Sequence, residues 1–256
     1  MKHIDVLIKN TGVVHTCGGR KFRRGSEMLD NAPIEGAVIA VSEGRILYIG
    51  PEEGLSEHEA GVTSHTEVIN AQAKDVIPGF VDSHTHLIWQ GDRTEEFARM
   101  LRGESYEDIT AEGGGINTTV RATREADLDV MVYFGRRRLE RMLAHGTTSV
   151  ECKSGYALQT EGELRMLEAV EILRKETPQL LHSTFLGAHL VPEEFAEDRD
   201  AYVDLVVNEM IPAVASQGFA DFCDVFMEHN AFTAAETERI LKAGIEHGLR
   251  PRLHAD

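Results

Sequence analysis

With 256 residues and 42% hydrophobic content, the chain can bury a sizeable core, in one large domain or in one domain with a smaller companion. A formal net charge of −17 argues against nucleic acid or an anionic membrane as the partner, yet leaves room for a small anionic substrate beside one well-placed arginine. Cys17, Cys152 and Cys223 show neither a pairing pattern nor a Cys-x-x-Cys spacing, which suits free thiols in a reducing compartment. Met1-Lys2-His3-Ile4-Asp5 carries no apolar core of signal-peptide length and no run reaches transmembrane length, so the expected location is cytoplasmic.

Residues 4–8, 37–41 and 45–50 are short apolar runs that predict strands, the last two joined as a hairpin through Ser42-Glu43-Gly44. A polar, turn-rich stretch covers 51–66, and Glu67-Val68-Ile69 predicts another strand. Residues 1–75 are therefore expected to form a β-rich unit, too small to complete its core without strands from elsewhere. The texture changes at Val76-Ile77-Pro78-Gly79-Phe80-Val81-Asp82-Ser83-His84-Thr85-His86, where a Pro-Gly turn leads into a strand ending in His-x-His. A polar excursion follows, with a helix predicted from Glu95 to Leu101 and a flexible Gly113-Gly114-Gly115 suited to a loop over a site.

From Asp127 a βα rhythm sets in. Leu128, Met131, Val132, Leu139, Met142 and Leu143 fall on one helical face, and strands are predicted at 147–152, 180–186, 222–227 and 250–254. Helices are predicted at Glu161–Arg174, at 201–217 with a kink or break at Pro212, and at Ala234–His247. Pro251 weakens the last strand. Strands alternating with helices imply parallel βα units. Without a Gly-x-Gly-x-x-Gly turn the reading moves from a nucleotide-binding sheet to a (β/α)8 TIM barrel, of which residues 76–256 supply five units. The expectation is a barrel protein truncated at its C-terminal end.

In such a barrel the chemistry sits at the C-terminal ends of the strands. His84 and His86 end the first strand, Glu151, Lys153 and Tyr156 lie at or after the second, His189 after the third, Glu228 and His229 after the fourth, and His254 ends the fifth. Side chains two apart on a strand share a face, so His84 and His86 can grip one ion. A metal ion lowers the pKa of a bound water towards neutrality, which makes metal-assisted hydrolysis the favoured reaction class. No Ser-His-Asp arrangement presents itself and Cys152 has no nucleophile signature. Arg93 reads equally as a carboxylate anchor and as a surface ion pair with Glu95 or Glu96.

Pro78-Gly79-Phe80-Val81-Asp82 running into His84-Thr85-His86 resembles the opening strand of the amidohydrolase superfamily. Glu112-Gly113-Gly114-Gly115-Ile116, Glu151-Cys152-Lys153-Ser154-Gly155-Tyr156, Gly187-Ala188-His189, Asp224-Val225-Phe226-Met227-Glu228 and Leu253-His254-Ala255-Asp256 are similar to the imidazolonepropionase branch of histidine degradation. The resemblance implies that His84, His86 and His254 ligate one Zn2+ or Fe ion per subunit. It implies that Arg93, Tyr156 and His189 hold the substrate, with His189 also catalytic, and that Tyr106 is a further substrate-facing residue. The implied reaction is hydrolytic opening of the imidazolone ring of 4-imidazolone-5-propanoate to N-formimidoyl-L-glutamate. The fourth metal ligand of the family, an Asp on a later strand, would lie beyond Asp256, so the fragment alone is expected to be inactive. Ser83, Trp89-Gln90 and Ala157 depart from the family pattern, which leaves open another amidohydrolase acting on a cyclic amide or aminated heterocycle. A non-catalytic barrel fragment is the reading from a different class. Partners are expected to be a small molecule, with no nucleic acid and no membrane, and a homodimer is left open.

Overall fold

The structure is a computed structural model, and it describes residues 2–19, 21–58, 60–105, 108–109, 112–229 and 231–255. The chain divides into two compact units, Met1–Gly79 and Phe80–Asp256. Among the described residues no helix is long and apolar enough to cross a membrane.

The first unit is built on a four-stranded sheet in the order Arg45–Gly50, Val38–Ser42, Val6–Lys9, Glu67–Asn70. The predicted hairpin pairs antiparallel, Val38 opposite Gly50 and Ser42 opposite Arg45. Successive side chains on a strand face opposite ways, and the sequence uses both faces. Leu7, Val38 and Ala40 pack with Ile4 and Leu55, whereas Ala37 and Ile39 pack with Val14, Ile8 and Val76. The polar stretch after the hairpin holds a short 3-10 turn, Glu52–His58.

The second unit is a parallel sheet whose five strands lie side by side in chain order: Phe80–Thr85, Thr147–Lys153, Leu180–Ala188, Phe222–Met227, and a fifth in two pieces, Arg250–Pro251 and His254–Ala255. With flanking helices these five parallel strands make the partial (β/α)8 barrel that the sequence predicts. The predicted fifth strand is interrupted after Pro251, although the backbone N–H groups of Arg250 and Arg252 on either side of the proline still donate to Asp221 O and Cys223 O along the neighbouring strand. It nonetheless keeps its register, since Arg250 faces Phe222 on one side of the gap and His254 faces Phe226 on the other. Two other register shifts matter for the site. Ser83 and His84 together stand opposite the single residue Glu151, and Leu186 and Gly187 together stand opposite Asp224. An extra residue of this kind bends and twists the strand locally.

The helices bury the faces their spacing predicts, with one correction. Met131, Val132 and Leu139 of helix Leu128–Ala144 pack against Met166, Val170 and Leu173 of helix Thr160–Glu176, but Leu143 is exposed. Gly135 makes that helix contact close, since a Cβ there would lie 2.6 Å from Leu173 Cδ1. Pro212 does not break its helix. Arg199–Leu205 continues through a π turn, Val206–Met210, into Ile211–Gln217. The wider π turn accommodates a ring that would otherwise meet the carbonyl four residues earlier.

Inside the sheet the strand residues are not all apolar. The Lys153 side chain is 2% exposed and its Nζ donates to Glu151 Oε1 at 2.7 Å and to Asp224 Oδ2 at 2.5 Å. Thr184 Oγ1 also donates to Glu151 Oε1 at 2.5 Å, and Arg252 Nη1 lies 3.3 Å from the same oxygen. One ammonium thus ties the second strand to the fourth across the third. Removing one member of such a buried set leaves the others charged and dry, so Lys153→Met is expected to cost about 3–5 kcal/mol of stability, measured as a shift of the denaturant midpoint.

Candidate metal and substrate site

The C-terminal ends of the five parallel strands lie on one rim, and the rim carries the imidazoles. His84 belongs to the end of the first strand with His86 directly after it, His189 follows the third, and His254 lies in the last piece of the fifth. His86 is the hub. Its ring stacks on His189 with centroids 4.8 Å apart and planes at 15°, and lies 4.9 Å from Tyr156 and 5.9 Å from His84. His84 meets His254 edge to face at 4.8 Å, and His254 stacks on Phe226 at 4.9 Å. Tyr156 stands at 69° to His189, 5.2 Å away.

Three of these rings, His84, His86 and His189, are pushed towards the neutral form. Burial, followed by the neighbouring His189 and His84, pushes the His86 pKa down to about 3. Burial likewise takes His189 down to about 4, outweighing the hydrogen bond it makes to Gly155. His84 is lowered by burial and by the charge of Lys153. His189 Nδ1 donates to Gly155 O at 2.8 Å, which fixes the tautomer and leaves Nε2 as an acceptor. His254 Nδ1 donates to Asp224 Oδ2 at 3.0 Å. Burial raises the Asp224 carboxyl, but the hydrogen bonds from His254 and Lys153 outweigh it and hold its pKa below the usual carboxylate range.

The donor set suits a metal ion. Imidazoles are typical zinc or iron donors, and His86 Nδ1 is buried with no hydrogen-bond partner among the described residues. Among the described residues no three His, Cys, Asp or Glu side chains converge on one point as they stand, so the fit is one of chemistry and protonation rather than of finished geometry. Cys152 and Cys223 are fully buried and burial raises both thiols, Cys223 to about 12, which leaves neither as a nucleophile.

His84, His86, Tyr156, His189 and His254 are thus brought together. Arg93 is placed differently. Its Nε donates to Glu96 Oε2 at 2.6 Å, and its cleft is lined by Asp92, Glu95, Glu96, Arg99 and Thr118, with none of the imidazoles. Glu96 also accepts from the Thr118 hydroxyl at 2.9 Å and the Gly115 N–H at 3.2 Å, so the glycine run ends at a pinned helix start, before Ile116–Glu125. Tyr106 lies outside the described residues. Glu228 accepts the His229 backbone N–H, a loop contact. Asp224 and Glu96 organise the neighbourhood of predicted residues but stand out in the sequence only as ordinary acids within a strand and a helix.

A profile of the amidohydrolase family matches residues 76–255. The chain is 46% identical over 254 residues to the imidazolonepropionase of Alkaliphilus metalliredigens and 47% identical over 256 residues to that of Myxococcus xanthus, with 99% and 100% of its own length aligned. It spans about 60% of the length of each of these relatives. Among solved structures, 5-methylcytosine deaminase from Klebsiella pneumoniae, liganded with 5-fluorocytosine, has a TM-score of 0.57 at 17% identity, covering 99% of this chain and 51% of that one. An atrazine chlorohydrolase from Arthrobacter aurescens, complexed with zinc, has a TM-score of 0.56 at 15% identity, covering 98% and 52%. At such identities the structural likeness speaks for the fold alone. The family profile spans most of the sequence and all five parallel strands, and by that measure the chain belongs to the amidohydrolase family.

Proposed function

We propose that the protein carrying this chain opens the imidazolone ring of 4-imidazolone-5-propanoate by hydrolysis, releasing N-formimidoyl-L-glutamate, in the cytoplasmic degradation of histidine. The observation that carries this reading is the single cluster formed by His86, Tyr156 and His189 beside the His84–His254 pair. The names of the relatives at 46% and 47% identity support the same substrate.

His84, His86 and His254 would hold one zinc or iron ion. When bound, that ion polarises the ring carbonyl as a Lewis acid and brings the pKa of water towards neutrality. The remaining work falls to the chain itself. Near pH 7 His189 is neutral with its proton fixed on Nδ1, so the Nε2 lone pair can take a proton from the attacking water and return it to the ring nitrogen that departs. Tyr156 stands across from it at a steep angle, and a flat heterocycle can stack on one of these rings while presenting its edge to the other. Arg93 binds the propionate carboxylate by exchanging it for Glu96, which keeps its Thr118 and Gly115 donors in either state.

The protein incubated with 4-imidazolone-5-propanoate should form N-formimidoyl-L-glutamate, identified by chromatography and mass spectrometry. Ammonia release from an aminated heterocycle, with no turnover of the imidazolone, would replace this substrate with another of the same fold. The ligand set is tested through Asp224, which orients His254 without belonging to the set. Partners of metal-bound histidines contribute about 10–100-fold in metal affinity, so Asp224→Asn should weaken zinc retention against a competing chelator by about that factor. Unchanged zinc affinity would remove His254 from the ligands.

A further inference from the structure

Between the second parallel strand and helix Thr160–Glu176 the chain makes a loop, Ser154–Leu158, that lies against the third strand. Its backbone is costly to hold. Gly155 has φ +101, and a Cβ there would lie 2.7 Å from Leu186 O and 3.2 Å from His189 Cβ. Leu158, a residue with a bulky side chain, has φ +54. One side chain gathers the donors this loop would otherwise leave dry. Glu163, fully buried in the first turn of the helix, accepts the Gly155 N–H on Oε2 at 2.8 Å, and the Ala157 and Leu158 N–H groups on Oε1 at 2.9 and 2.8 Å. The Ser154 side chain is a fourth donor to the same carboxyl.

The bonded residues bracket Tyr156 on both sides, and the Gly155 carbonyl that follows the first of them receives His189 Nδ1. From this geometry we propose that Glu163 is a positioning residue for the substrate site, setting the direction of Tyr156 and, through the Gly155 carbonyl, the ring orientation and tautomer of His189. The proposal rests on the reading of Tyr156 and His189 as substrate-binding residues. Only a carboxylate meets the requirement, because both of its oxygens accept and neither donates. Glutamine would turn one oxygen into an NH2 facing backbone N–H groups that need an acceptor.

The test has two arms. In the first, Glu163→Gln is compared with the unsubstituted protein by amide hydrogen exchange at Gly155, Ala157 and Leu158 and by the 15N shift of His189 Nδ1. Faster exchange at all three amides and a shift showing loss of the fixed tautomer are expected. Unchanged exchange and an unchanged His189 signal would overturn the proposal, whatever the substrate. In the second, kcat/KM for 4-imidazolone-5-propanoate should fall about 10–100-fold in Glu163→Gln, the scale of a misplaced binding group, at unchanged zinc content. The same substitution should cost much less in a Tyr156→Phe, His189→Gln background, because the residues it acts through are already gone. An equal cost in both backgrounds means general support of the fold, and overturns the proposal. If the unsubstituted protein leaves the imidazolone intact, the substrate reading fails and the exchange arm still decides on Glu163. Should Glu163→Gln not fold, Glu163→Asp, which draws the charge back by one methylene, is measured in both arms, and the same results support or overturn the proposal.

Discussion

The barrel unit depends on how one ammonium is satisfied in its interior. Lys153 is 2% exposed, too deep to reach water, and it meets Glu151 on its own strand and Asp224 two strands away. A buried charge without partners is intolerable, so the lysine fixes where both carboxylates must be. Each carboxylate then passes the constraint on. Glu151 receives Thr184 and lies near Arg252, while Asp224 receives His254. The relative height of four strands is written into this set. An apolar core could slide a little and repack, but a hydrogen-bonded charge cluster has one arrangement.

The same charges shape the chemistry of the rim. Lys153 contributes to keeping His84 unprotonated, and burial among other imidazoles does the same for His86 and His189. Neutral imidazoles retain the lone pairs that bind metals and accept protons. Asp224 does the opposite for one nitrogen, holding a proton on His254 Nδ1. Structural ion pairing and site chemistry are therefore not separate layers here. The carboxylate that locks the fourth strand to the second also sets the tautomer of a rim histidine.

Much of this is legible in the residues. Apolar runs bounded by Gly, Pro and polar turns mark the third and fourth parallel strands, which carry continuous buried runs, while the first, second and fifth are read from their place in the βα rhythm. The His-x-His pair and the later histidines are visible as imidazoles at strand ends. Pairing over distance is not visible in this way. Glu163 sits in a helical pattern as one more first-turn acid, and nothing local says that its partners are the amides of the preceding loop. Asp224 and Lys153 are 71 residues apart, and only the parallel sheet brings them together. Leu143 continues an apolar stripe yet is exposed, lining an open cleft with Leu139 and Leu173 where the two helices end. Pro212 announces an irregularity, because a proline's demand on the preceding turn is plain from the residue alone. The π turn that meets this demand depends instead on the packing of Val206, Met210 and Ile211.

Two of the three register shifts in the parallel sheet fall at Ser83-His84, opposite Glu151, and at Leu186-Gly187, opposite Asp224. These are the rows of the two carboxylates that grip Lys153. A one-residue deletion in either place would restore a regular ladder while turning every rim side chain beyond it to the opposite face. Along these two strands a change of length is therefore far more disruptive than the exchange of one side chain for another.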